Sequence, residues 1–113
     1  MNENKMTLSL RLQAVAEFVA KGSVPVDIGT DHGYVPLYLV ESGCCPRAIA
    51  ADVNEGPLKK AKEHIVAAGL EDRIETVLSD GLKNIELSDK EASYTLILAG
   101  MGGPLMSRIL PYK

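Results

Sequence analysis

A parallel, doubly wound α/β sheet is the fold class predicted for these 113 residues, on three observations. Short apolar runs alternate with segments of helical spacing, the connections between them are brief, and Asp and Gly residues stand where the apolar runs end. In such sheets ligands bind at the carboxyl ends of the strands, so those endings are where function is sought. With 46% apolar residues, a chain of this length supports one core and is too short for two domains of ordinary size. Residues 1–113 are therefore expected to form a single domain.

The elements follow in order. In "LSLRLQAVAEFVAKGS", Ser9 is an N-cap candidate and Leu12, Val15, Ala16 and Val19 recur at helical spacing. Lys21 and Gly22 close that helix. "VPVDIG" is a short apolar run ending in Asp27 and Gly29, and "YVPLYLVESG" resumes helical spacing with Pro36 confined to the first turn. The unit repeats: "RAIAAD" predicts a strand, and "GPLKKAKEHIVAAG" a helix with Pro57 at its start, Leu58, Ala61 and Ile65 on one face and Gly69 at its end. "RIETVLSD" predicts a third strand and "YTLILAG" a fourth, apolar enough for burial on both faces. A last helix is expected to begin at Pro104.

Composition narrows the function classes. A formal net charge of −3 excludes a uniformly basic nucleic-acid coat, although a local patch stays open. Cys44 and Cys45 are neighbours with no CxxC pair and no His at ligand spacing, so they read as reduced thiols rather than a disulfide framework or a metal site. No charged-then-apolar leader opens the chain and the longest apolar runs are too short to cross a bilayer, which predicts a soluble, cytoplasmic protein with no membrane partner.

The loop after the first strand carries most of the functional signal. Asp27-x-Gly29-x-Asp31-x-Gly33 has glycines that permit tight turns and close ligand approach. Asp52 ends the second strand nineteen residues after Gly33, near the spacing at which an acidic residue takes the ribose hydroxyls of a nucleoside. Asp80 and Gly81 end the third strand, where the crevice would hold an adenine ring. Asp31 selects among adenosine ligands: a pyrophosphate within roughly 4 Å of it would cost on the order of a kcal/mol in water and several at protein-like dielectric. NAD is disfavoured, and no GxxxxGK[ST] loop is present. S-adenosyl-L-methionine has the adenosine without phosphate, and its ammonium and sulfonium would be attracted by Asp27 and Asp31.

At these residues the chain resembles a known family. "LSLRL", "DIGTDHGYVP", "AIAADVNEGPL" and "AGMGG", spread over residues 8 to 103, together resemble the bacterial tRNA (adenine-N1)-methyltransferases, which methylate an adenine in the D-arm region of tRNA. The resemblance implies a Rossmann-like class I methyltransferase fold, a parallel sheet with helices on both faces, and tRNA as partner. It also implies that Asp27, Gly29, Thr30, Asp31 and Gly33 wrap the methionine end of the cofactor. Asp52 and Val53 would hold the ribose and flank the adenine, with Asp80 and Gly81 on its amine side. "AGMGG" would stand where donor and acceptor meet, Ala99 and Gly100 toward the cofactor and Met101, Gly102 and Gly103 toward the substrate.

Adenine N1 is already a nucleophile, so the chemistry asked of the protein is mainly alignment, with a carboxylate to stabilise the cationic product ring. Asp31 is the candidate for that role and His32 for contact with the substrate amine, although a His in a tight turn also bonds neighbouring backbone. Arg11 is a candidate for positioning the cofactor or an RNA phosphate. Lys59, Lys60 and Lys62 read as the wet face of their helix, His64 receives no role, and Tyr34 and Tyr38 are expected in the core.

The resembled enzymes continue with three further strands and a helical C-terminal domain. This chain is accordingly expected to be the N-terminal, cofactor-binding portion, its sheet ending at the fourth strand. That strand would then be an open apolar edge inviting self-association. Two other classes of function compete with methyl transfer: a cofactor-binding module without turnover, and a nicotinamide-dependent oxidoreductase fragment, against which Asp31 stands.

Overall fold

The computed structural model describes residues 2–87, 91–98 and 105–109. Its elements in chain order are α1 (Asn2–Phe18), β1 (Val24–Ile28), α2 (Tyr34–Glu41), β2 (Ala48–Asp52), α3 (Glu55–Ala67), β3 (Ile74–Leu78), β4 (Tyr94–Leu98) and β5 (Leu105–Ile109). They form one sheet of order β3-β2-β1-β4-β5, in which β1 pairs parallel with β2 and β4, and β2 parallel with β3. The order reverses between β1 and β4, and such a reversal is the topological switch point at which open α/β sheets form a crevice, at the carboxyl end of β1.

Strand alternation sorts the side chains onto two faces. Asp27 of β1 stands in register with Ala50 of β2 and Ile97 of β4, whereas Val26 stands in register with Ile49 and Leu96. The Asp27 face carries the helices. Val15 and Val19, one turn apart on α1, pack with Leu39 of α2, Cys45 and Ile97. Val40 of α2 and Ile65 of α3 pack with Ala48, Ala50 and Ile74. Alanines at 48, 50 and 61 let these helices sit close, and fully burying an Ile or Leu here contributes about 1.5–3 kcal/mol. On the opposite face Val24, Val26, Ile49 and Tyr94 are covered by Ile85, Leu87 and Ala92 from the connection between β3 and β4. Among the described residues, then, the helices occupy one face rather than both. The stretch after β3 forms turns instead: the Ser79 hydroxyl donates to the Gly81 carbonyl (2.7 Å) and accepts from the Asn84 N–H (3.1 Å), competing with helical bonding.

Three expectations about element ends change. The first helix begins at Asn2, so Ser9 lies inside it rather than capping it, and it stops at Phe18, with Gly22 (φ 84°) turning the chain into β1. Leu105–Ile109 is a strand, not a helix, and it pairs antiparallel with β4. A short apolar run reads equally as strand or helix, and the unsatisfied backbone edge of β4 decides between them. The open β4 edge expected from the sequence is consequently covered, and the sheet's outer strands are β3 and β5.

Candidate functional site

The connection after β1 is held down by backbone bonds to its neighbour. The N–H groups of Gly29 and Thr30 both donate to the Ala51 carbonyl, at 2.9 and 2.8 Å, and Gly33 N–H donates to the Thr30 carbonyl at 3.0 Å. Gly29 and Gly33 take φ of 78° and 79°, and between them Asp31 takes 58°, a left-handed conformation rare outside glycine. Gly33 is required for a second reason. A Cβ there would lie 3.0 Å from the Ala61 Cβ, so the loop rests directly on α3.

Asp27 and Asp52, the terminal carboxylates of β1 and β2, are 2% and 6% exposed. Both Asp52 oxygens are engaged: Oδ2 accepts from Asp31 N–H (3.1 Å) and Oδ1 from Asn54 N–H (3.0 Å). A carboxylate has lone pairs beyond these two, so Asp52 can still accept from a diol while its orientation is fixed. Asp27 differs. Its Oδ1, like the Thr30 hydroxyl oxygen, is buried without a hydrogen-bond partner among the described residues. Burial pushes the Asp27 carboxyl up to about 7; the Thr30 hydroxyl and the Arg11 guanidinium pull it down less strongly, and the Asp52 charge adds a small push upward. The Thr30 influence is one of proximity, since no hydrogen bond between the two groups is formed. A buried acceptor left open at a topological switch point is a place for a donor, above all a cationic one. Arg11, an exposed residue of α1, stands near enough for its charge to act on Asp27.

The other candidates spread along the same rim. Asp31 is exposed, with its carboxylate 3.4 Å from Nδ1 of the half-buried His32. Val53 is 60% exposed directly after Asp52, and Leu78, Leu82 and Leu98 are exposed at or just beyond the ends of β3 and β4. These leucines were not singled out from the sequence, where an apolar residue ending a strand looks like part of the core. Leu78 stands in register with Asp52, so it and Val53 are exposed apolar side chains at neighbouring strand ends. Asp80 does not join the buried carboxylates: it is solvent-exposed and 3.4 Å from Lys83 Nζ, in a turn where Gly81 has φ 63°. Ala99, Gly100, Met101, Gly102 and Gly103 lie outside the described residues.

His64, given no role from the sequence, has Nδ1 2.8 Å from the His32 carbonyl oxygen in the connection after β1, and one tyrosine expectation is overturned. Tyr34 is 43% exposed rather than in the core; only Tyr38 packs against the α1–α2 cluster. Lys59, Lys60 and Lys62 are exposed, as expected. A cavity of about 440 Å³ lined by Arg47, Ile49, Glu75, Val77, Asn84, Ile85, Glu86 and Tyr94 contains none of the candidate site residues. The two cysteines are free, 3.7 Å apart, with the Cys45 thiol pushed up to about 12 by burial. No described helix is long and apolar enough to cross a membrane.

The chain has counterparts among known proteins. The chain is 40% identical over 107 residues to the tRNA (adenine(22)-N(1))-methyltransferase of Bacillus subtilis, a match covering 95% of this chain and 44% of that protein. Among solved structures, a Streptococcus pneumoniae protein provisionally named a tRNA (m1A22) methyltransferase, in complex with S-adenosyl-L-methionine, superposes with TM-score 0.72. Its identity is 40%, over 82% of this chain and 42% of that one. M. capricolum TrmK in complex with S-adenosyl-homocysteine superposes with TM-score 0.67 at 27% identity, over 80% of this chain and 51% of that one. The chain thus spans about half the length of these relatives or less. The family described as "Methyltransferase domain" matches residues 8–113, and on that match the chain belongs to the methyltransferase-domain family.

Proposed function

We propose that this chain is the cofactor-binding portion of an S-adenosyl-L-methionine-dependent methyltransferase acting on N1 of an adenine in tRNA, in the cytoplasm. The carrying observation is Asp27: a carboxylate at the switch point, 2% exposed, with an oxygen left without a donor. The α-ammonium of S-adenosyl-L-methionine supplies that donor, and the similarity to the B. subtilis tRNA (adenine(22)-N(1))-methyltransferase supports both donor and acceptor.

In this reading Asp27 and Thr30 hold the amino-acid end, and Arg11 offers its guanidinium to the carboxylate. Asp52 accepts from the ribose hydroxyls. Val53, Leu78 and Leu82 flank the adenine, with Asp80 and Gly81 on its amine side. The cofactor contributes an electrophilic methyl on a sulfonium. Asp31, held at φ 58° by its N–H bond to Asp52, presents a carboxylate toward the acceptor's developing positive charge. His32, 3.4 Å from that carboxylate, can take a proton from the substrate amine. Self-association stays in the proposal, through the outer edge of β5 rather than β4: elution volume in size exclusion should move with protein concentration, and a concentration-independent monomer would remove it.

The test is calorimetric titration with S-adenosylhomocysteine alongside methyl transfer to a tRNA transcript. Asp52→Ala should weaken binding at least about tenfold, since a hydrogen bond to a charged group is worth roughly 1.5–3 kcal/mol. Unchanged affinity would take Asp52 out of the site. Tighter binding of NAD than of S-adenosylhomocysteine would overturn the methyltransferase reading altogether.

A further inference from the structure

The rings of His32, Tyr34 and His64 are mutual neighbours. Centroid separations are 5.6 Å for His32–Tyr34, 5.6 Å for Tyr34–His64 and 6.0 Å for His32–His64, with interplanar angles of 23°, 16° and 29°. Three rings piled in one column would put the outer pair at about twice the neighbour spacing. Nearly equal separations instead describe a triangle of similarly tilted rings rather than a single column.

The patch is held together by more than ring contacts. The close approach of Gly33 to Ala61 brings α3 against the loop, and His64 follows Ala61 by three residues, one turn along the helix. The 2.8 Å bond between His64 Nδ1 and the His32 carbonyl then fixes the imidazole beside the loop. The patch is also open to solvent, Tyr34 at 43% and the His32 side chain at 43% exposed. Exposed rings oriented by a buried framework are costly to leave in water and serve naturally as a surface for another flat, π-bearing group.

We propose that His32, Tyr34 and His64 form a stacking platform for an unpaired base of the RNA acceptor, the one flanking the methylated adenine. This rests on the tRNA methyltransferase reading, because Asp31, the residue presented to the reacting ring, immediately precedes His32. Stacking through ring faces tolerates any base, so the platform holds the strand in place while the mouth selects the adenine.

The test uses the full chain and an RNA stem-loop carrying 2-aminopurine next to the target adenosine, whose fluorescence is quenched on stacking. Wild type should quench on binding. Tyr34→Ala should lose the quench and bind the RNA about tenfold more weakly, while Tyr34→Phe, which keeps the ring face, should behave as wild type. S-adenosylhomocysteine affinity should stay within about twofold for both variants, showing that the loop is intact. RNA binding without quench, a quench retained in Tyr34→Ala, or equal loss in Tyr34→Phe would overturn the platform. No RNA binding by a wild type that still binds S-adenosylhomocysteine would overturn it too, while leaving the cofactor reading in place.

Discussion

Asp27 bears the conflict between stability and binding most directly. Its carboxyl is raised from 3.8 to about 7, chiefly by burial, so between those two pH values the folded state holds a proton that the unfolded state has released. The contribution of Asp27 to stability is therefore fully present below about 4, declines as pH rises through that window, and is flat above about 7, with a slope of at most ~1.4 kcal/mol per pH unit. Asp27→Asn should remove the decline. In urea unfolding, the variant is expected to gain on ligand-free wild type from pH 5 to pH 8, and a constant difference would contradict the buried, unpartnered carboxylate. For S-adenosylhomocysteine the dependence runs the other way: its ammonium requires the ionised form, so wild-type affinity should rise with pH up to about 7 and then level off. Asp31 poses a smaller conflict. At φ 58° its conformation suits glycine, so Asp31→Gly should leave Tm unchanged or slightly higher while slowing methyl transfer. An unimpaired rate would remove Asp31 from the chemistry.

At the scale of elements, the contact between the β1–α2 connection and α3 decides whether the site exists. Gly33→Ala meets both a left-handed φ of 79° and a 3.0 Å approach to the Ala61 Cβ, so a loss of about 2–3 kcal/mol is expected in denaturant unfolding. Adding Ala61→Gly removes the clash and leaves the backbone strain. It also introduces a mid-helix glycine costing about 1 kcal/mol, so the double variant should be less unstable than the sum of the two singles. Strict additivity would show that the two residues do not touch. The element boundaries themselves were largely legible. β1, α2, β2, α3, β3 and β4 stand where alternation, Pro36, Pro57 and Gly69 place them. The misread strand Leu105–Ile109 is five residues long, too short for periodicity to separate strand from helix, and its state was set by a neighbour rather than by itself.

For the molecule as a whole, the asymmetry of the sheet matters most. Among the described residues, three helices lie on the Asp27 face, while the opposite face is covered by irregular chain from the β3–β4 connection. Backbone bonds inside a helix are protected as a unit, whereas those of turns are more exposed, so hydrogen exchange should be slow along β1, β2 and α3 and faster across residues 79–87. Uniform protection would contradict this division.

The sequence by itself determined the alternation of strand and helix, the position of β1, and the acidic, glycine-bearing loop that follows it, because each of these is written in local spacing and backbone preference. Tertiary structure alone decided three things. Asp27 loses its solvent while Asp80 keeps it, although both end strands and look alike in one dimension. His64 meets His32 across thirty-two residues because Gly33 lets α3 come close. β5 takes its conformation from the edge it covers. Burial and contact belong to pairs of residues distant along the chain, and no local pattern encodes which pairs the folded sheet brings together.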